Sequence, residues 1–241
     1  MKSFNKLLLS VLALTFLSLG LVSAVVPFGV ENIVEGPSTR APEDIADSTP
    51  ALAGNVTEIS IFGYTITQAW QGYFGNVTGT IQLADSVDNV MYNWSLADPE
   101  GEVYASENGS INWVGTYCWD MNTNIDSLES AYGIVSNDVD GIDETFNWAT
   151  HSEFYVNNIQ IPAGECNSTR IFDSTGTGVN ENYEQVILEG GDGEIIWTAI
   201  IEEDPIIGFD GKDHDFQMLV PEDGHGTDTA TRPYYFYVEL E

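Results

Sequence analysis

Apolar and polar residues alternate with period two through much of this chain, the spacing of strands whose side chains point to opposite faces. The pattern is strongest from Trp70 to Leu96. Val77, Gly79, Ile81 and Leu83 share one parity, and Asn76, Thr78, Thr80 and Gln82 share the other. After Asp85–Asn89 the alternation resumes, with Val90, Tyr92, Trp94 and Leu96 set against Met91, Asn93 and Ser95. This spacing predicts a β-hairpin with one apolar and one polar face, around which the other strands are expected to assemble.

The same pattern predicts a first core strand at Asn55–Thr67, around Ile59 and Ile61, with Gly63 marking a bulge. Further strands are expected at Glu102–Ser106, Ile111–Trp119, Glu153–Ile161 (bulged at Asn157–Asn158) and Arg170–Asp173. Glu184–Glu202 reads as a second hairpin, QVIL and EIIWTAII about the loop EGGDG. Its second strand is apolar on both faces, which implies burial on both sides. Asp213–Val220 and Tyr234–Leu240 complete the set. One helix is expected at Thr123–Ile134: Thr123 and Asp126 resemble a capping box, Ile125, Leu128 and Tyr132 recur at helical spacing, and Gly133 closes it. About 10–11 strands, with turns roughly every 8–15 residues, predict an all-β fold, an antiparallel β-sandwich with one short helix.

The ends of the chain read differently. Lys2 and Lys6 precede the apolar run Leu7–Val22, and Val22-Ser23-Ala24 has the small residues of a cleavage site, so residues 1–24 read as a signal peptide. The run is shorter than the ~20 residues of a membrane span. No second apolar run follows, so a secreted, extracellular or cell-surface protein with no membrane anchor after leader cleavage is expected. Residues 25–53 form an apolar decamer, VVPFGVENIV, on a linker rich in Pro, Ser, Thr and acids. Val26, Phe28, Val30 and Ile33 are candidates for a strand donated to the sheet edge of a neighbouring copy. The plainer alternative is a frayed tail or an edge strand of the same domain, which spans residues 54–241.

Charge narrows the partners. There are 38 acids against 6 bases, a net charge of −32. Such a surface repels nucleic acid and anionic lipid and attracts cations. In DVDGIDE, Asp138, Asp140, Asp143 and Glu144 resemble the front of a calcium loop, although the twelfth position is Ala149 rather than an acid. Calcium is therefore the one possible cofactor, and a solvated acidic loop the alternative. Asp210, Asp213 and Asp215 form a second cluster, beside His214 and His225, whose spacing matches no strict metal motif. Cys118 and Cys166, in an exported chain, are expected to form a disulfide.

Five Asn-x-Ser/Thr triplets, at Asn55, Asn76, Asn93, Asn108 and Asn167, are candidate N-glycan sites. Asn76 and Asn93 fall on the polar face of the first hairpin. No GxSxG, HExxH or Gly-rich phosphate loop is present, and no enzyme is expected. A glycoside hydrolase needs only two carboxylates, and 38 acids offer too many pairs to choose among. Trp70, Trp113, Trp119 and Trp148 suit a core, or stacking on sugars.

The blocks AGNVTEI, ITQAWQGYFGNVTGTIQL and MYNWSLADPEGEVYAS resemble a family of exported archaeal glycoproteins, mostly from small-genome lineages. So do the closing GFDGKDHDFQMLVPED and YYFYVEL. The similarity covers Gly54–Leu240 and implies a glycosylated, extracellular context without a particular activity. In plan, a mature N-terminal strand ahead of a β-sandwich, the chain is more loosely similar to archaeal filament subunits that assemble by strand donation. The expectation is a secreted, glycosylated structural protein of an extracellular assembly, a homo-oligomer or polymer such as a filament. A carbohydrate-binding module is the alternative, and a glycoside hydrolase the more distant one.

Overall fold

The computed structural model describes residues 26–96, 99–204, 206–223 and 231–240; the leader, Val25 and His225 lie outside them. In chain order the strands are β1 (Phe28–Gly29), β2 (Trp70–Gly75), β3 (Thr80–Ala84), β4 (Val90–Ser95), β5 (Gly101–Ser106) and β6 (Tyr117–Cys118). Two helices follow, α1 (Met121–Ala131) and α2 (Ile142–Thr145). Then come β7 (Phe154–Val156), β8 (Ile159–Ile161), β9 (Ser168–Arg170), β10 (Glu184–Glu189) and β11 (Ile195–Ile200). The last are β12 (Ile206–Ile207), β13 (Asp213–His214), β14 (Phe216–Pro221) and β15 (Tyr235–Leu240). The fold is all-β and antiparallel, and eleven of these strands are three residues or longer.

The architecture is set by β10 and β11, the hairpin with the longest apolar runs. They lie inside a seven-stranded sheet of order β1-β15-β5-β11-β10-β6, with β9 also on β10. Both faces of this sheet are covered, which is why β5, β10 and β11 are apolar or satisfied on both parities. On one face Val103, Ala105, Ile187, Trp197 and Ala199 meet Met218 and Val220 of the β2–β14 ribbon and Ile142 and Phe146 around α2. Trp197 is 1% exposed and packs edge-on against Trp70, with ring centroids 5.9 Å apart. On the other face Tyr104, Val186, Leu188, Ile196 and Tyr237 meet Phe154, Val156 and Ile161 of the β7–β8 hairpin, together with Trp113. Each fully buried large apolar side chain contributes roughly 1.5–3 kcal/mol, so these two layers hold the body together.

The disulfide expected from the sequence is present, Cys118 to Cys166. It joins β6 to the residues entering β9. These two short strands divide one edge of β10 between them: Ser168 sits opposite Val186 and Cys118 opposite Leu188.

Several elements depart from the sequence reading. Asn55–Thr67 has the alternation of a strand but forms none, and Ile59 and Ile61 are exposed. Alternation specifies which side chains share a face; it does not supply a neighbouring strand. The Trp70–Leu96 hairpin splits. β2 pairs with β14, and only β3 and β4 pair with each other, as a ribbon exposed along its whole length. Of Ile111–Trp119, only Tyr117–Cys118 is strand, after a turn at Gly115 with φ +82°. Asn157–Asn158 is a two-residue hairpin turn rather than a bulge, with Asn157 at φ 56°, a conformation asparagine tolerates. β9 ends at Arg170, where a strand was expected to begin. Helix α1 starts three residues earlier than the capping box implies. Asp120 is its N-cap, and the Thr123 hydroxyl donates to Asp120 Oδ2 at 2.7 Å. The helix ends at Ala131, short of Ile134, but Gly133 closes it as expected, taking φ +68° and donating to Ser130 O, while Ile134 donates to Glu129 O.

Candidate functional site

The N-terminal segment lies at an edge of the main sheet. Phe28 is opposite Val238 and Gly29 opposite Tyr237, and the Val30 N–H donates to Phe236 O at 3.3 Å. The segment is therefore an edge strand of its own domain, the plainer of the two alternatives the sequence offers. That partnership is slight. Phe28 is 66% exposed, Val26 and Ile33 are also exposed, and Val30 is half-buried. From residue 31 to residue 69 no helix or strand forms, and nearly every side chain is exposed.

The β3–β4 ribbon has the two faces expected. Ile81 faces Trp94 and Leu83 faces Tyr92 on the apolar side; Thr80 faces Ser95 and Gln82 faces Asn93 on the polar side. Its base is anchored by Val77, which packs on the core, and by Gly79, where a Cβ would come within 2.2 Å of Leu240 Cδ1. Its tip is closed by Asp85, whose carboxylate accepts from the Val87 and Asn89 amides and the Asn89 side chain. Those bonds hold the Asp85 carboxyl below its ordinary range. Of the five candidate glycan acceptors, Asn55, Asn76, Asn93 and Asn108 are exposed. Asn167 is half-buried and its Nδ2 donates to Phe146 O at 3.2 Å, while Ser168 and Thr169 of the same triplet are buried.

The acids of DVDGIDE do not converge as a group. Asp138 caps a turn by accepting from the Val135 amide at 2.9 Å, and Asp140 accepts from the Thr67 hydroxyl. Asp143 and Glu144 instead meet Glu129 of α1, with one carboxylate oxygen of each lying within 4.8 Å of the others. Gly141 makes room: a Cβ there would stand 2.6 Å from Glu144 Oε2 and 2.7 Å from Glu129 Oε1. Burial and the Asp143 charge push Glu129 up, and its hydrogen bond with Asp143 pushes Glu144 up. Among the described residues these three are the group able to hold a hard cation, with carboxylate oxygens as ligands. The sequence carries a signal for Glu129, since it lies between Leu128 and Tyr132 on the apolar stripe of the helix. Asp210 and Asp215 have separate partners: Asp210 Oδ1 lies 2.9 Å from His214 Nε2, and Asp215 Oδ2 accepts from the Val77 amide.

A second acidic site could not be read from the sequence. A cleft of about 370 Å³ is lined by Glu102, Glu153, Glu184 and Glu202, among others. Glu184 accepts from the Ser152 amide and hydroxyl and from the Glu181 amide. Glu202 accepts from the Tyr183 amide at 2.6 Å. Burial pushes Glu202 up to about 7; the Tyr183 N–H opposes this and the Glu184 charge adds to it. Beside them, the Tyr104 hydroxyl lies 3.2 Å from Glu102 Oε2 and 3.0 Å from Glu239 Oε2, and these two acids stand directly opposite on β5 and β15. Such a cleft can hold a proton on Glu202.

A larger groove, about 890 Å³, runs between residues 38–41 and the β2–β14 ribbon, with Trp70, Tyr73, Phe74 and Phe209 in its lining. Tyr73, Phe74 and Phe209 are 36%, 48% and 54% exposed. Of the other tryptophans singled out by sequence, Trp113 and Trp119 are buried in the core, whereas Trp148 is 47% exposed and lies under the Arg170 guanidinium, 3.5 Å from the ring centroid.

Compared with known proteins, the chain matches no family model, no curated protein and no solved structure. Among the described residues no helix is long and apolar enough to cross a membrane.

Proposed function

We propose that this protein is a secreted, glycosylated structural subunit of an extracellular or cell-surface assembly, whose copies join by exchanging the N-terminal strand. The observation that supports this is the state of β1. It closes the β15 edge through two residues, leaves Phe28 largely in solvent, and is tethered by a stretch without strands or helices. An element so weakly held in its own chain, on so long a tether, can dock on the same edge of a neighbour with the same backbone bonds. Exchange of this kind needs no new recognition surface. Val26, Phe28, Val30 and Ile33 then travel together to the neighbouring sheet. Four exposed glycan acceptors suit an exported surface.

Deleting residues 26–34 should convert assembled material into folded, soluble monomer, read by light scattering and by electron microscopy of negatively stained samples. Polymers that survive the deletion would remove strand exchange as the joint.

The groove beside β2 supports a second reading, carbohydrate binding, because half-exposed aromatic rings stack on sugar faces. Phe74→Ala should then weaken oligosaccharide binding about tenfold or more in calorimetric titration, a loss of at least ~1.4 kcal/mol. Heats no different from buffer for wild-type protein across a panel of neutral oligosaccharides would dismiss it.

A further inference from the structure

Two parts of the described chain are left incomplete in complementary ways. The first is Asn55–Thr67. Val56 is 101% exposed, Ile61 87% and Phe62 92%, on a stretch whose alternation is that of a strand and whose backbone has no strand partner. The second is the β3–β4 ribbon, whose two strands pair only with each other. On its apolar face Ile81, Leu83, Tyr92 and Trp94 are each about half-exposed, and the Tyr92 and Trp94 rings stack edge-on at 4.9 Å. One part is a strand without a sheet, and the other a sheet with free edges and an uncovered face.

Charge identifies the occupant. A chain of net charge −32 repels its own copies wherever its charges are dense. Between Asn55 and Leu96, however, the only ionisable acids are Glu58, Asp85 and Asp88, and there is no Lys or Arg. Asp85 and Asp88 sit at the ribbon tip, away from the apolar pairs. The charge-poor stretch thus contains both the exposed apolar side chains of the segment and those of the ribbon, so both halves of the fit lie within it. The candidate glycan acceptor Asn93 is on the opposite, polar face, so a sugar there would point away from the apolar pairs.

We infer that the Asn55–Thr67 segment of one copy adds as a third strand to the β3–β4 ribbon of a second copy, making the ribbon a homotypic docking surface. Backbone bonds along the free ribbon edge would supply affinity, and one parity of the incoming segment would extend the apolar face. The inference builds on the proposal that copies of this chain assemble, but it uses residues other than those of β1.

Crosslinking with single cysteine substitutions tests it in the full chain, the native thiols being tied in the disulfide. Protein carrying Ile61→Cys or Phe62→Cys is mixed with a separate, mass-tagged batch carrying Tyr92→Cys, under oxidised glutathione. Val139→Cys, 94% exposed and remote in sequence, is the control partner. The expected result is a mixed disulfide dimer from Tyr92→Cys with one of Ile61→Cys and Phe62→Cys, at least fivefold above the control, the other parity giving little. Mixed dimer no more abundant than with Val139→Cys overturns the inference. So does a monomeric loop as the only product when both cysteines are placed in one chain, because the segment would then serve its own ribbon. Repeating the pairings in the 26–34 deletion separates the two readings: crosslinking that persists there while polymers vanish assigns each contact its own role.

Discussion

Glu202 shows how one side chain in this fold links burial to pH. Its carboxyl titrates near 7 in the folded protein against an ordinary value of 4.5. Between those values the folded state binds more protons at this site than the unfolded chain, so stability falls as pH rises through the window. The contribution is complete below about 4.5 and lost by about 7. Glu202→Gln keeps an acceptor for the Tyr183 amide and removes the charge. It should leave stability at pH 4 nearly unchanged and raise it at pH 8 by on the order of 1 kcal/mol after solvent screening. Urea midpoints at the two pH values would show this; an equal shift at both would place the effect in packing instead. The importance of Glu202 was hidden in the sequence because the acid follows an apolar strand, where it reads as the first exposed residue of a loop. Glu129 was nearly legible, since a glutamate on the apolar stripe of a helix requires a buried partner.

At the scale of elements, the edge of β10 is the most informative feature. Two strands of two and three residues share it, each too short to hold an edge alone. The Cys118–Cys166 bond, spanning a sequence separation of 48, makes one unit of them. Cys118→Ala with Cys166→Ala should cost roughly 4 kcal/mol by the loop-entropy argument. It should also raise amide exchange at Val186 and Leu188 selectively. An unchanged unfolding midpoint would show that β6 and β9 hold the edge by hydrogen bonds alone. The hairpin β10–β11 and the closing of α1 were legible because local rules decide them: an apolar run of strand length, a glycine at a helix end. The pairing of β2 with β14 was not, because those strands are more than a hundred residues apart and nothing in either names the other. The Asn157–Asn158 turn was misread for a related reason, since a parity shift accompanies a hairpin turn as well as a bulge.

At the scale of the molecule, the chain divides its acids unevenly. The body carries most of the 38, some of them buried: Glu102 and Glu239 share the Tyr104 hydroxyl, and Glu184 accepts from Ser152 and the Glu181 amide. The stretch from Asn55 to Leu96 carries three. Self-repulsion is then weak in orientations of two copies that bring the charge-poor stretches together, which makes charge a selector of geometry as well as a source of solubility. Composition made the all-β class plain from strand spacing and turn frequency. It could not show that an alternating segment would stand unpaired, because alternation reads the same whether the partner is in the same chain or in the next.

The long exposed stretch from residue 31 to residue 69 has one more consequence. It offers a protease many extended, solvated peptide bonds, whereas the body behind it is sheet and disulfide. One cut there would sever β1 from the sheet while leaving the fold intact. A lattice built from such copies could be dismantled by trimming alone, without unfolding a single subunit.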